Sequence, residues 1–255
     1  MKPACIPLSA ELIEGGYQSV SRTHVGHVRR INEDRILDCP ERSLWAIADG
    51  MGGHRGGDVA AEIAIASLRR VATGPAPICA AKILDALIGA NREILERGRQ
   101  ANSTIGSTIV ALHIDGDRAT VFWAGDSRAY VESGGARRLA TRDHSLVQEL
   151  LDAGAISEAQ AARHPKAHVI TRALGVQADI EIASALIELK AGERLLLCSD
   201  GLSRTLAEQK VAANTEIGEH ADALLSDALR LDGSDNISLV VIEIDTASAS
   251  EASES

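Results

Sequence analysis

Apolar positions along the chain recur with two different periods. Residues 43 to 49, SLWAIAD, are an almost continuous apolar run ending on Asp49, which predicts a buried strand. A short strand, QSVSRT, precedes it. Residues 57 to 70 place Val59, Ile63 and Ala66 on one face, and residues 82 to 97 bring Ile83, Leu84, Leu87, Ile88, Ile94 and Leu95 together, the spacing of two helices packed on a core. STIVALHI, ATVFWAGD and SRAYVES follow, joined at Asp115-Gly116 and Gly125 and closed by Gly134-Gly135; short strands between turn residues predict an antiparallel meander. Residues 145 to 175 read as a polar, helical insert broken at Gly154 and Pro165. IEIASALIEL, ERLLLCSD and ISLVVIEID then supply strands, with a helix around 217 to 230 between the last two. Strands and helices grouped in blocks predict the α+β class, with antiparallel sheets and flanking helices.

Composition narrows this to one domain. The chain has 255 residues, 45% of them hydrophobic, and nothing resembles a linker, so a single core over residues 17 to 245 is expected after an N-terminal extension, 1 to 16. The tail from 246 to 255, rich in Ser, Ala and Glu, lacks apolar periodicity and reads as disordered. A net charge of −10 argues against nucleic acid or an anionic membrane as partner. The start of the chain, with two prolines and two glutamates, does not read as a signal peptide, and no apolar run is long enough to span a bilayer. A cytoplasmic protein is expected. Cys5, Cys39, Cys79 and Cys198 show no CxxC spacing, which favours reduced thiols over disulfides or zinc.

Acids fall where the apolar runs end. Asn32-Glu33-Asp34, Asp49-Gly50, Asp126, Ser199-Asp200-Gly201 and Asp235-Asn236 each sit at a strand edge. An isolated Asp-Gly is ordinary turn chemistry, and Asp115-Gly116 is read so. Several acids converging on one place would repel each other unless cations neutralised them, so the set suggests a metal enzyme. An all-oxygen set selects Mg²⁺ or Mn²⁺ over zinc. Such ions acidify a bound water that could attack phosphorus without a phosphoenzyme intermediate, and if the metal holds a phosphate, a guanidinium from Arg29-Arg30, which otherwise reads as a solvated charge cluster, would contact its oxygens. Nucleotide loops do not fit the glycines around residue 50, where Arg55 interrupts the spacing. Cys198 and Ser199 read as structural neighbours rather than nucleophiles.

The order and wording of the motifs carry a resemblance. GHVRRINED, IADGMGGHRGGDVAA, GSTIV, WAGDSRAY, TRDHSLVQELLDAGAI, HPKAHVITRALG, LLLCSDGL and DNISLVVIEI resemble the bacterial branch of the metal-dependent (PPM, type 2C) Ser/Thr protein phosphatases, over residues 17 to 244. The resemblance implies a four-layer α-β-β-α sandwich, two antiparallel sheets flanked by antiparallel helix pairs, with a two-ion Mn²⁺ or Mg²⁺ centre. It implies Asp49 as the bridging carboxylate, the Gly50 carbonyl as a ligand, Asp200 and Asp235 completing the second ion, and Glu33 reaching a metal through water. Asp34 and Asn236 would support these groups, Arg29 would bind phosphate, and Asp126 with Asp200 would hold a third, weaker ion. Residues 145 to 165 would be a flap beside the cleft. The implied substrates are phosphorylated Ser/Thr proteins, with a bacterial Ser/Thr kinase as counterpart and a monomeric enzyme. Met51 stands where many relatives carry a histidine, leaving protonation of the leaving group to water or another group; His54 and His144 are candidates, although a structural role suits each better. Two other classes remain beside this one, a catalytically silent phosphoprotein-binding relative and another two-metal phosphoester hydrolase. The 2% aromatic content speaks against one that stacks bases.

Overall fold

Alternation along each strand, hidden in the sequence by two-sided burial, sets the architecture. In β3 (Leu44–Ala48), Leu44, Ala46 and Ala48 face one core and Trp45 and Ile47 face another. The same split runs through β6 (Ile109–Asp115), where Ile109 and Ala111 oppose Val110, Leu112 and Ile114. In β11 (Arg194–Cys198) and β12 (Ile237–Ile244), Leu195, Leu197, Val240 and Ile242 enter the same central core, while Leu196, Cys198, Leu239 and Val241 enter a third. Antiparallel strands buried on both faces read as continuous apolar runs because neither face meets water.

The computed structural model describes residues 16–52, 56–75, 77–161, 163–209, 211 and 215–245. The extension up to residue 15, His54 and the tail from Thr246 lie outside them. One sheet has the order β1 (Tyr17–His24), β12, β11, β8 (Arg128–Ser133), β9 (Ala136–Leu139). The other runs β10 (Ala183–Glu188), β7 (Arg118–Ala124), β6, β3, β2 (Arg35–Cys39), and neighbouring strands in both sheets are antiparallel. A two-stranded ladder joins β4 (Gly50–Met51) to β5 (Gly106–Ser107). The helices α1 (Gly57–Thr73) and α2 (Ala80–Gln100) cover the outer face of the second sheet. On the far side α6 (Ile217–Leu231) and the four-residue α5 (Asp200–Ser203) cover the first. The result is the expected sandwich of two antiparallel sheets between helices. No described helix is long and apolar enough to cross a membrane.

Four readings need correction. The three strands after residue 106 are not one meander: β6 and β7 pair, but β8 joins the other sheet beside β11. The switch occurs at Gly125, whose φ of 118° and position against the Thr108 side chain, 2.6 Å from where a Cβ would stand, require glycine. Second, α1 buries Ala60, Ala61, Ala64, Ile65 and Leu68, leaving Val59, Ile63 and Ala66 only half-buried, because small alanines let the helix approach the sheet closely. Third, β2 and β9, too polar to stand out, were absent from the strand reading. Last, Cys79 is disulfide-bonded, while Cys39 and Cys198 are free and buried. Distant cysteines can be brought together by a fold, so lack of CxxC spacing does not exclude a bridge. Of the insert, α3 (Leu146–Asp152) and α4 (Glu158–Ala161) are helical.

Candidate active site

Strand ends from both sheets deliver the acids to one cleft of about 740 Å³, whose walls include Arg29, Glu33, Asp49, Gly50, Asp200 and Asp235. Asp49 follows β3, Asp200 follows β11, Asp235 precedes β12, and Glu33 precedes β2. Asp34 and Asp126 are buried beside the cleft rather than lining it. Asn236 is also in the wall.

Hydrogen bonds fix these positions. The Asp49 backbone is clamped by the β5–β6 junction: its N–H donates to Thr108 Oγ1 at 3.2 Å, and its carbonyl accepts from Thr108 N at 2.9 Å and Ser107 Oγ at 3.1 Å. Thr108 Oγ1 also meets Ser127 Oγ at 2.7 Å, tying Asp49 to the turn that carries Asp126. A Cβ on Gly50 would lie 2.1 Å from the Gly57 carbonyl oxygen, and one on Gly57 would lie 2.6 Å from Glu33 Oε1; the two glycines let α1 press against both acids. The N–H of Asp58, in the first turn of α1, donates to Glu33, as the positive end of a helix favours. Asn236 staples the neighbouring loop: its Oδ1 accepts from Glu33 N at 2.8 Å, and its Nδ2 donates to Val25 O at 2.9 Å and Ile31 O at 3.0 Å. Ser199 Oγ donates to Asp34 at 2.9 Å and accepts from Ser238 N at 3.0 Å, the structural role read for it. Cys198 is buried, and burial pushes its thiol up to about 12, so it supplies no nucleophile at neutral pH.

Electrostatically the acids are in conflict. Burial raises Asp49 well above the ordinary carboxylate range, and Asp34, Asp200, Asp126 and Asp235 raise it further. Asp34 is pushed up to about 7 by burial and by Asp200 and Asp235, against the bonds from Ser238 and Ser199. Burial, Asp200 and Asp143 push Asp126 up to about 7. Burial also raises Asp200, opposed by Arg204, and burial with Asp58 raises Glu33. One Oδ1 on each of Asp34, Asp126 and Asp200 is buried without a hydrogen-bond partner. Such orphaned oxygens cost free energy unless something binds them.

Those free oxygens and the all-oxygen donor set fit a hard cation. Yet no three His, Cys, Asp or Glu side chains among the described residues converge tightly enough to hold an ion as they stand. Two arginines account for the difference. Arg29 Nη2 lies 2.8 Å from Asp235 Oδ2; Arg204 is ion-paired with Asp200 and lies 3.9 Å from Asp235 Oδ2. Both guanidiniums sit against carboxylates that a cation would use.

Arg204 was missed in the sequence, although its place four residues after Asp200 on a short helix was a readable signal. His168 and Ile170 also line the cleft, just beyond the expected flap. His144 has a structural setting: its Nδ1 accepts from Gly125 N at 3.2 Å, its Nε2 meets Arg172 at 3.2 Å, and its ring stacks on Trp123 at 6.0 Å.

Comparison with known proteins identifies the family. The model of the family described as Protein phosphatase 2C matches residues 26–230. The serine/threonine phosphatase stp of Listeria monocytogenes is 32% identical over 238 residues, covering 88% of this chain and 94% of that protein. The solved structure of PppA, a key regulatory component of T6SS in Pseudomonas aeruginosa, is similar with a TM-score of 0.80 at 36% identity, covering 90% of this chain and 98% of that one. The catalytic domain of the serine threonine protein phosphatase PstP, solved in complex with two manganese ions, is similar with a TM-score of 0.78 at 32% identity, covering 90% and 99% of the two chains.

Proposed function

The chain belongs to the protein phosphatase 2C family and is a phosphatase, and we propose that it is a Mn²⁺- or Mg²⁺-dependent enzyme hydrolysing phosphoserine and phosphothreonine in proteins. The observation that carries this reading is the convergence of Glu33, Asp49, Asp200 and Asp235 on one cleft together with Arg29, beside carboxylate oxygens that have no partner. PstP, a relative with the same fold, holds two manganese ions, and the donor set here suits two. Asp49, the Gly50 carbonyl, Glu33, Asp200 and Asp235 would hold them. When bound, such ions supply an acidified water and positive charge against phosphoryl oxygens.

The chain's own residues do the rest. Arg29, half exposed and held on Asp235 at 2.8 Å, is free to turn to the phosphate once that carboxylate takes a cation, and a guanidinium suits two phosphoryl oxygens at once. Asp34 and Asn236 keep the acids in place through the bonds to Ser199 and to the backbone of residues 25 to 33. Met51 supplies no proton to the leaving alkoxide. A third ion at Asp126 and Asp200 fits less well, since Arg204 already occupies Asp200.

The same reading takes residues 17 to 245 as the phosphatase domain and 145 to 165 as its flap. The protein would act as a monomer in the cytoplasm, on proteins phosphorylated by a Ser/Thr kinase. Release of phosphate from a phosphothreonine peptide, with and without Mn²⁺, tests the function: turnover that chelator abolishes and Mn²⁺ restores is expected, and full turnover in chelator overturns it. Tight Mn²⁺ binding without turnover would make the chain a silent phosphoprotein-binding relative.

A further inference from the structure

We propose that Arg204 is a resident cation of this centre, standing in place of the outer ion that Asp126 and Asp200 would otherwise hold. The inference rests on the two-ion reading above and concerns only the outer position. It begins with the local fold. Because α5 starts at Asp200, Arg204 comes one helical turn later, with its N–H bonded to the Asp200 carbonyl at 3.1 Å, and its side chain lies over that of Asp200. The guanidinium lines the cleft, is about one-third exposed, and is ion-paired with Asp200 Oδ2.

Oxygen bookkeeping makes this placement decisive. Asp200 has two carboxylate oxygens. Oδ1 is buried and has no partner, so it remains for an inner ion, while Oδ2 is occupied by Arg204. An outer ion shared with Asp126 would need that second oxygen. Arginine keeps its charge at every pH where the enzyme would work, so a divalent ion entering here would meet a fixed positive charge at close range. Arg204 thus does permanently what a weak ion does on occupancy: it neutralises Asp200 and holds it in position. It is a positioning residue, and its effect is read in the number of ions bound.

Equilibrium dialysis against Mn²⁺, with metal counted per chain, tests this. The wild-type chain is expected to bind two ions at saturation. Arg204→Gln and Arg204→Ala, made in parallel so that the count does not hang on the folding of one variant, should each bind a third, weaker ion. Arg204→Lys, which keeps the charge, should bind two. Adding Asp126→Ala to Arg204→Gln should return the count to two, placing the extra ion on Asp126. Three ions in the wild type, or only two in folded Arg204→Gln and Arg204→Ala, overturns the inference while leaving the phosphatase reading intact. A wild-type chain that binds no Mn²⁺ overturns the metal reading itself, and this inference with it.

Discussion

Glu132, Asp34 and Asp126 are all buried, yet their surroundings oppose each other. Glu132 lies on β8 beneath α6, with Oε1 taking Arg137 at 2.7 Å and Oε2 meeting His220 at 2.7 Å. Burial pushes its carboxyl up, but the bonds and charges of His220 and Arg137 outweigh burial and hold it below its ordinary value. Asp34, Asp49 and Asp126 are raised first by burial and then by neighbouring carboxylates, Asp200 among them in each case, and Asp34 and Asp126 keep an oxygen without a partner. Burial therefore does not mark a functional acid. A buried acid with both oxygens matched stabilises the fold, whereas a set with unmatched oxygens and mutual repulsion is held against its own energetics and calls for a cation from outside.

The strongest test of that contrast is Asp49→Asn. The amide keeps the shape but removes the charge that would bridge two cations, so turnover of a phosphothreonine peptide should fall by about 1,000-fold or more. The metal-free variant should meanwhile melt no lower than the wild type, since one repelling charge is gone. Near-normal turnover would move the site elsewhere, and a large drop in melting temperature would place Asp49 with Glu132 as a structural acid.

Glu132→Gln probes the opposite corner. Removing the charge of a buried acid whose two oxygens are matched leaves Arg137 without its counter-charge, and the loss should be about 3 kcal/mol of stability. Thermal unfolding would read it, and turnover well below the transition should be unchanged. A variant as stable as the wild type would show that the matched oxygens of Glu132 contribute little.

How far these features were legible in the sequence follows from the same physics. Asp49, Asp200 and Asp235 stood out because each ends or begins an apolar run, and the fold class followed from blocks of such runs. The Glu132 cluster did not stand out, because its partners come from positions 137 and 220 and only pairing of β8 with β9 and packing of α6 bring them together. The meander failed for a related reason: turn residues announce that the chain reverses, but not which sheet the next strand joins. Strands β2 and β9 escaped because edge strands carry polar residues, and neither RILDC, fully buried only at Leu37 and Cys39, nor the largely exposed ARRL has a continuous apolar signal. The Cys79 bridge was invisible for want of spacing.

Arg29→Ala should have a smaller effect. Its guanidinium pairs with Asp235 at the surface of the cleft, so Mn²⁺ affinity should hardly change, while KM for the phosphopeptide should rise about tenfold through loss of a charge-assisted contact. Equal losses in metal affinity and KM would make Arg29 a structural partner of Asp235, and unchanged kinetics would remove it from the site.

The mildest test uses pH and the metal-free protein. Asp34 and Asp126 ionise in the unfolded chain near the ordinary 3.8 but in the folded chain only at about 7. Between those values the folded state holds more protons than the unfolded state, so stability must fall as pH rises through the window and level off above it. Glu132 has the opposite sign: its carboxyl is lowered from an ordinary 4.5, so its contribution is complete above that value and is lost only in more acidic solution. From pH 5 to 7 the cleft acids should therefore dominate the difference between the two regions. In chelator, the melting temperature should decline across this range; Asp126→Asn should make the decline shallower, and Glu132→Gln should leave its slope unchanged. Saturating Mn²⁺ should flatten the curve, because bound cations favour the ionised carboxylates and bring the folded pKa values back down. A decline that persists in Mn²⁺, or one that Asp126→Asn leaves untouched, would mean that the cleft acids are not what the ions neutralise.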